Sequence, residues 1–210
     1  RRFVQNEAVE GHRRLVAGRQ NGGHGGKLQR LGEAGEAAVI YLRLMDLAKA
    51  ARDPWVWGQL ALLVLVAAGA PLLPRTVSLG HLDPVLNRVD PDWIRWLGGA
   101  LLAAGLGVAV WGGRSLGASL TPGTEPLPHA PLVTRGAYAH VRHPIYLGLV
   151  LALAGYTVAW SNWALGLVVG LIALTYFEGK ARAEERWLLA RYPHYRRYMD
   201  QVRRRILFAR

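Results

Sequence analysis

Two long segments of the chain contain no charged side chain. The first covers residues 55–73. The second covers residues 96–113, which are small or aliphatic apart from the tryptophans at 96 and 111. Crossing a bilayer core of about 30 Å takes about 20 apolar helical residues. Tryptophans at the segment ends are typical of the membrane interface. We therefore predict transmembrane helices over about residues 55–73 and 94–113.

A third uncharged segment is too long for one span. Residues 145–177 would form a helix of about 50 Å at 1.5 Å per residue. Polar residues bracketed by tryptophans, Trp160-Ser161-Asn162-Trp163, lie halfway along it. This pattern predicts a helical hairpin with arms at 145–160 and 163–177. Both arms are slightly short, so local membrane thinning is expected, and Pro144 suits the first turn of the first arm.

Glycines in the second span predict close helix packing. Gly98, Gly99, Gly105 and Gly107 alternate with alanines, and small residues let membrane helices approach each other. Together these patterns indicate an all-α integral membrane protein with about four transmembrane helices, including the short hairpin.

The first 44 residues differ from the rest. They are rich in glycine and polar residues without a helical or strand period, which favours disorder. Met45 opens a short polar lead into the first span. We expect residues 1–44 to be a disordered or non-native extension, and residues 45–210 to be the membrane domain.

Charge is concentrated at the other end. Residues 178–210 carry ten basic and four acidic side chains, in a chain of net charge +12. Because this tail follows an apolar stretch directly, it favours a lipid surface over nucleic acid. Apolar residues interleave with its arginines, which predicts amphipathic helices at the headgroup level. These residues are Trp187, Leu188, Leu189, Tyr195, Tyr198, Val202 and Ile206.

The loops also predict an orientation. Arginines are concentrated in loop 114–144 and in the tail, whereas loop 74–92 has more acidic than basic residues. The positive-inside rule then makes both termini and loop 114–144 cytoplasmic; the expected location is a bacterial inner membrane. The chain has no cysteine, which excludes disulfides, thiolate metal sites and a cysteine nucleophile.

One loop carries candidate chemistry. Residues 131–148, PLVTRGAYAHVRHPIYLG, place Arg142 and His143 where the chain enters the membrane. Ionisable residues at that depth usually mark a functional site. The alternative is an interfacial anchor, in which the aromatic residues and Arg142 only seat the helix.

A second candidate segment follows the hairpin. Within residues 177–189, FEGKARAEERWLL, Lys180 and Glu184 are four residues apart and share a helix face. The alternative is a solvated helix with ordinary ion pairs, each contributing about 0.3–0.5 kcal/mol.

The combination of these segments resembles the isoprenylcysteine carboxyl methyltransferase family and its phospholipid methyltransferase relatives, over roughly residues 96–206. An RHPxYxG motif begins the hairpin, and an EExxL motif follows it. The matching residues are Leu132, Val133, Thr134, Gly136, Tyr138, Arg142, His143, Pro144, Tyr146, Gly148, Glu184, Glu185, Leu188, Tyr195 and Tyr198.

The resemblance implies an enzyme that uses S-adenosylmethionine and no metal. Its catalytic residues would be Lys180, Arg142 and Glu184, with Lys180 facing the methyl acceptor. Its cofactor-binding residues would be Ala130, Pro131, Leu132, Val133, Tyr138, His143, Pro144, Ile145, Tyr146, Glu184 and Glu185.

The implied acceptor is lipidic and enters from the membrane. It would be a prenylcysteine-like or isoprenoid carboxylate; a phospholipid amine is the alternative. The eukaryotic enzymes have arginine at the position of Lys180 and histidine at that of Ala130. Lysine keeps the charge but loses the bidentate geometry of arginine. Membrane lipids are expected partners, nucleic acid is not, and the sequence gives no oligomeric state.

Three other readings compete. A sterol-reductase-like enzyme using NADPH would have Asn and Asp where this chain has Ile145 and Leu149. A non-enzymatic membrane scaffold or transporter component is the second. Zinc binding by His129, His140 and His143 is the third, and it lacks acidic or thiol partners at ligand spacing.

Overall fold

The computed structural model describes residues 48–72, 92–127 and 130–208. Within these residues the chain is helical and contains no strand. The helices are α1 (Pro54–Gly69), α2 (Asp92–Leu116), α3 (Pro144–Trp160), α4 (Trp163–Arg191) and α5 (Tyr195–Gln201), with short 3₁₀ turns at Ala70–Leu72, Gly117–Ser119 and Gly136–Ala139. The extension 1–44 lies outside the described residues, so its assignment stays a prediction.

Three helical stretches are long and apolar enough to cross a membrane, and one is shorter. The long stretches are Pro54–Leu72, Asp92–Ser119 and Trp163–Arg191, and the shorter helix is Pro144–Trp160. The all-α membrane fold is therefore confirmed, with boundaries close to the predicted ones for the first three helices.

Local sequence sets the start of α1. The side chain of Asp53 accepts a hydrogen bond from the backbone N–H of Trp55 at 2.9 Å, and Pro54 occupies the first turn. An acidic N-cap satisfies one of the unpaired N–H groups at a helix start, and proline there loses no hydrogen bond.

Glycines allow α2 and α3 to pack in direct backbone contact. A Cβ on Gly105 would lie 2.5 Å from the backbone nitrogen of Ala152, and one on Gly148 would lie 2.5 Å from the backbone oxygen of Gly105. Gly98 and Gly155 meet in the same way one heptad along. The two helices are antiparallel. The prediction of close packing is right for Gly98 and Gly105. A Cβ on Gly99 or Gly107 would meet no atom of another helix within 4 Å among the described residues, so these two face away.

This contrast gives a matched pair of substitutions. Gly105→Ala forces a clash with backbone atoms, so we expect it to destabilise the fold by about 1–3 kcal/mol. Gly107→Ala lies on the same helix in open space, and it should be neutral or stabilising by up to about 1 kcal/mol because alanine favours helix. Thermal unfolding in detergent measures both. Equal unfolding temperatures for the two variants would contradict the packing described here.

The hairpin forms as the sequence predicts. α3 ends at Trp160, and α4 begins at Trp163 with the side chain of Asn162 accepting from the backbone N–H of Leu165 at 2.9 Å. Pro144 occupies the first turn of α3, as predicted. Gly166 lies against Val158 and keeps the two arms close.

The second arm is longer than predicted. α4 does not end near residue 177 but continues to Arg191. The residues after Phe177 include Ala, Glu, Lys, Arg and Leu, which favour helix, and the chain meets no proline until Pro193. Tyr192, which precedes this proline, is extended, as expected. One helix thus joins the hairpin to the segment that carries Lys180, Glu184 and Glu185.

α1 packs against both arms of the hairpin. The Trp55 and Tyr176 rings lie 5.5 Å apart, and the Tyr176 hydroxyl donates to the backbone oxygen of Trp55. The Tyr156 hydroxyl donates to the backbone oxygen of Ala67 at 2.9 Å.

The C-terminal segment folds back onto the rest of the chain. Tyr195, Tyr198, Val202 and Ile206 are each less than 9% exposed, so protein and not headgroups surrounds their side chains. The sequence pattern is amphipathic, as predicted, but its apolar side covers the loop before α3. Trp187 and Leu189 remain partly exposed.

Candidate functional site

A cavity of about 370 Å³ lies at the start of α3. Its walls come from the loop between α2 and α3, from one face of α4 and from the C-terminal segment, with Gln59 contributed by α1. This volume is in the range of small-molecule sites.

Most of the predicted cofactor residues line this cavity. They are Ala130, Pro131, Leu132, Val133, Tyr138, His143, Ile145, Tyr146 and Glu184. The predicted catalytic residues Lys180, Arg142 and Glu184 also line it. Pro144 and Glu185 do not: Pro144 packs against Gly112, and Glu185 points toward Arg142 and Arg205.

His143, Tyr146 and Glu184 converge, as the hairpin topology predicts. His143 Nδ1 lies 3.3 Å from Glu184 Oε2, and the Tyr146 hydroxyl donates to Glu184 Oε1. The His143 and Tyr146 rings stack with centroids 5.4 Å apart. The two residues come from the head of α3 and meet Glu184 because α4 returns antiparallel to the same end.

The loop that carries Tyr138 is held by a glycine turn. Gly136 has a φ of 64°, in the region that favours glycine. The Ser115 hydroxyl accepts from the backbone N–H of Ala137 at 3.2 Å, and a Cβ on Gly136 would lie 2.5 Å from this hydroxyl oxygen. Burial raises the pKa of Tyr138, so its phenol stays neutral.

Glu185 is the centre of a buried ion-pair network. Its oxygens lie 2.8 Å from Nε of Arg142 and 2.8 Å from Nε and Nη2 of Arg205. Arg205 also reaches Glu178 at 3.1 Å. The network joins the head of α3, the C-terminal half of α4 and the C-terminal segment, which together enclose the cavity.

Arg142 has mainly backbone and carboxylate partners. Its Nη1 donates to the backbone oxygens of Val202 and Arg203 at 2.8 and 2.9 Å, and its backbone N–H donates to the backbone oxygen of Arg204. These contacts favour a positioning role over a catalytic one. The catalytic assignment of Arg142 stays a prediction.

Lys180 is buried at the cavity wall and is 1% exposed. Its Nζ donates to Gln59 Oε1 at 2.7 Å and to the backbone oxygen of Pro122 at 3.0 Å. It also lies 5.3 Å from the centre of the Tyr146 ring, in cation–π range.

Besides Nε1 of Trp163, two buried side-chain nitrogens lack a hydrogen-bond partner among the described residues. They are Nη2 of Arg142 and Nε2 of His143; the latter lies 3.5 Å from Glu185 in an ion-pair contact that lacks hydrogen-bond geometry. Buried donors are normally satisfied by protein, ligand or water. Both residues line the cavity, but these two nitrogens are themselves enclosed by protein, and Nε2 of His143 faces Glu185.

The charge state of His143 gives a pH prediction. Burial acts to lower its pKa, but the carboxylates of Glu184 and Glu185 outweigh burial and raise the pKa above its ordinary value of 6.5. The stabilisation from the imidazolium is therefore fully present below about pH 6.5 and is lost as pH rises through the folded-state pKa. We expect the unfolding temperature to fall over that range, and the fall to shrink in His143→Gln. An equal pH dependence in both proteins would contradict this.

Several lining residues were not predicted from the sequence. They include Gln59, the loop 119–124, and Tyr192. Asp53 holds this loop, accepting from the backbone N–H and the hydroxyl of Thr124 at 2.7 and 2.8 Å. One signal pointed to Gln59, which is the only residue of α1 that is neither apolar nor aromatic.

Of the three histidines of the zinc alternative, His140 and His143 lie in the described part of the chain. The ring centres of His140 and Trp111 lie 5.7 Å apart. His129 is outside the described residues. In the part of the chain that the structure describes, no group of three His, Cys, Asp or Glu residues is arranged to hold a metal ion.

Comparison with known proteins gives one match. The family model described as phospholipid methyltransferase matches residues 93–194. No curated protein and no solved structure matches the chain. The matched segment contains α2, the hairpin, all of α4 and the loop that lines the cavity.

Proposed function

Residues 93–194 belong to the phospholipid methyltransferase family of membrane methyltransferases, and from this premise we propose that the chain transfers a methyl group from S-adenosylmethionine to a lipidic acceptor. The observation that carries the proposal is the cavity at the head of the hairpin, with Glu184 and Lys180 on one wall. Enzymes of this family typically use S-adenosylmethionine. The chain is an integral membrane protein.

The residues of the cavity fit the cofactor chemically. S-adenosylmethionine has an ammonium group, a carboxylate, an adenine ring and a sulfonium, and it supplies an activated methyl group. Glu184 carries the only carboxylate among the described lining residues and suits the ammonium. His143 and Arg142 line the cavity and carry the type of side chain that suits a carboxylate, and tyrosines beside apolar side chains suit the adenine.

The chain's own part in the reaction is alignment. Methyl transfer to a carboxylate breaks the bond from the methyl carbon to sulfur and forms one to oxygen, so no proton has to be removed. The protein has to hold the acceptor oxygen in line and exclude water. Lys180, a cation held at the wall by neutral groups, would attract the acceptor carboxylate.

An amine acceptor is the second candidate. The family's own description names phospholipids. A protonated amine would have to lose a proton first, and Glu184 is the one carboxylate among the described lining residues. Lys180 would oppose such an acceptor, because like charges repel.

Product chemistry separates the two acceptors. Protein in liposomes is given S-adenosylmethionine with a radiolabelled methyl group, together with S-farnesyl-N-acetylcysteine or phosphatidylethanolamine. We expect the label to appear in the farnesylated compound. Base should release this label as methanol, because a methyl ester is base-labile. Base-stable label in phosphatidylethanolamine would support the amine alternative. Label in neither compound, nor in the extracted liposome lipids, would count against methyl transfer to both acceptor classes.

The proposed orientation puts loop 114–144 and the tail in the cytoplasm, where S-adenosylmethionine is made available. Cysteines introduced at Arg135 and Asp83 should react with a membrane-impermeant maleimide from opposite sides, because three predicted loops follow the positive-inside rule. The chain has no native cysteine, so the labelling has no background. Reaction from the same side would contradict the predicted topology.

A further inference from the structure

Gln59 is a polar side chain in a helix that is otherwise apolar and aromatic. It lies in the stretch Pro54–Leu72, which is long and apolar enough to cross a membrane, and it lines the cavity. Polar residues inside membrane helices are costly and usually mark a site. α1 also lies outside the matched segment 93–194.

The partner of Gln59 is the buried ammonium of Lys180, on which the carboxylates of Glu184 and Asp53 act at longer range than a direct ion pair. Lys180 Nζ donates to Gln59 Oε1 and to the backbone oxygen of Pro122, which are both neutral acceptors. Among the described residues no carboxylate lies within 4.0 Å of this ammonium. A buried cation held only by neutral groups is costly unless an anion completes it.

The contact also fixes the orientation of the Gln59 amide. An ammonium group has only donors, so the amide oxygen must face Lys180, and the amide nitrogen is then a donor. The ammonium has three N–H bonds, of which two point to Gln59 and Pro122. The remaining N–H of the ammonium and the amide NH₂ group are donors, the kind of group from which a carboxylate accepts hydrogen bonds.

We propose that Gln59 is a positioning residue for the methyl acceptor: it orients the Lys180 ammonium, and the two side chains together form the subsite for the acceptor's anionic group. This inference rests on the proposed function. The acceptor is favoured over the cofactor as the source of the anion, because Gln59 comes from a helix long and apolar enough to cross a membrane, whereas the proposed cofactor side is the loop at residues 130–138.

Three substitutions at one position separate the roles of Gln59. Gln59→Met keeps the length and removes both the amide oxygen and the amide nitrogen. Gln59→Glu keeps the shape but neutralises Lys180 with a carboxylate. Gln59→Asn keeps the amide on a shorter side chain. Leu60→Ala serves as the control, because Leu60 is the next residue of α1 and is 46% exposed.

The full chain in nanodiscs is tested in two ways. The Kd is measured for S-adenosylmethionine, and both the Kd and the KM are measured for S-farnesyl-N-acetylcysteine as the acceptor. In Gln59→Met and Gln59→Glu we expect acceptor Kd and KM to rise about 10-fold or more, since hydrogen bonds to charged groups contribute strongly. The cofactor Kd should stay within twofold and kcat should change less than KM. Gln59→Asn should recover part of the acceptor affinity, and Leu60→Ala should behave as wild type.

The outcomes separate this inference from the proposed function. Wild-type protein that binds no S-adenosylmethionine would defeat the proposed function. Wild-type protein that binds the cofactor but not the farnesylated probe would overturn the anion subsite alone. An unchanged acceptor Kd in Gln59→Met and Gln59→Glu would also overturn it, as would a parallel loss of cofactor and acceptor affinity.

Discussion

Glu185→Gln should remove about 3–5 kcal/mol of folding stability, because it leaves two buried arginines without their shared counter-charge. Glu185 is 4% exposed, and Arg142 and Arg205 are 2% and 8% exposed. The glutamine oxygen can accept from one guanidinium, but its NH₂ group then faces the other. Unfolding by heat or denaturant in detergent measures the loss.

The matched control for Glu185→Gln is the same change at an exposed ion pair. Glu125 lies 3.8 Å from Lys49, with both side chains more than half exposed. Exposed pairs contribute little, because solvent screens them, so Glu125→Gln should change stability by less than about 0.5 kcal/mol. Equal effects of the two substitutions would mean that the buried network does not hold the C-terminal segment in place.

Glu184→Gln should lower the affinity for S-adenosylmethionine about 10- to 150-fold. The substitution keeps the shape of the side chain and removes the charge that we propose meets the cofactor's ammonium. Hydrogen bonds to charged groups contribute about 1.5–3 kcal/mol, which corresponds to this range. Equilibrium binding of the labelled cofactor to detergent-solubilised protein measures the change.

Glu178→Gln is the control for the cofactor measurement. Glu178 lies on the same helix, but its carboxylate faces Arg205 at 3.1 Å and does not line the cavity. Arg205 keeps its second partner, Glu185, in this variant. Cofactor affinity should therefore change less than threefold. An unchanged affinity in Glu184→Gln would remove this residue from the proposed site.

The sequence predicted the membrane fold because the signals were local and long. The uncharged run 145–177, with its polar interruption between two tryptophans, was enough to place both ends of α3 and the start of α4 within a few residues. The hairpin arm was predicted to end near residue 177, with a helix again around Lys180 and Glu184, whereas the structure has one continuous helix to Arg191. Ala, Glu and Arg continue a helix in water as well as in protein, and Pro193 ends it.

The site was only partly predictable. The motif around His143 and Tyr146 and the face with Lys180 and Glu184 meet because the hairpin returns to the same end, and topology alone predicts that. The role of Gln59 depends on how α1 packs against α4, which no local pattern encodes. The resemblance placed Glu185 with Glu184 in the cofactor site, but neighbouring helical residues point about 100° apart, and only Glu184 lines the cavity.

The apolar residues of the C-terminal segment illustrate a related difficulty. An amphipathic pattern predicts a face that avoids water, but it does not say whether lipid or protein covers that face. Tyr195 and Tyr198 lie against the protein, and the Tyr198 hydroxyl donates to the backbone oxygen of Tyr138 at 2.7 Å. The segment therefore helps to enclose the cavity.

The central claim is tested most directly by cofactor binding to purified protein in nanodiscs. We expect saturable binding of labelled S-adenosylmethionine at one site per chain, displaced by S-adenosylhomocysteine and unaffected by NADPH. Absence of saturable binding by folded protein, or displacement by NADPH, would contradict the assignment of the cavity to S-adenosylmethionine.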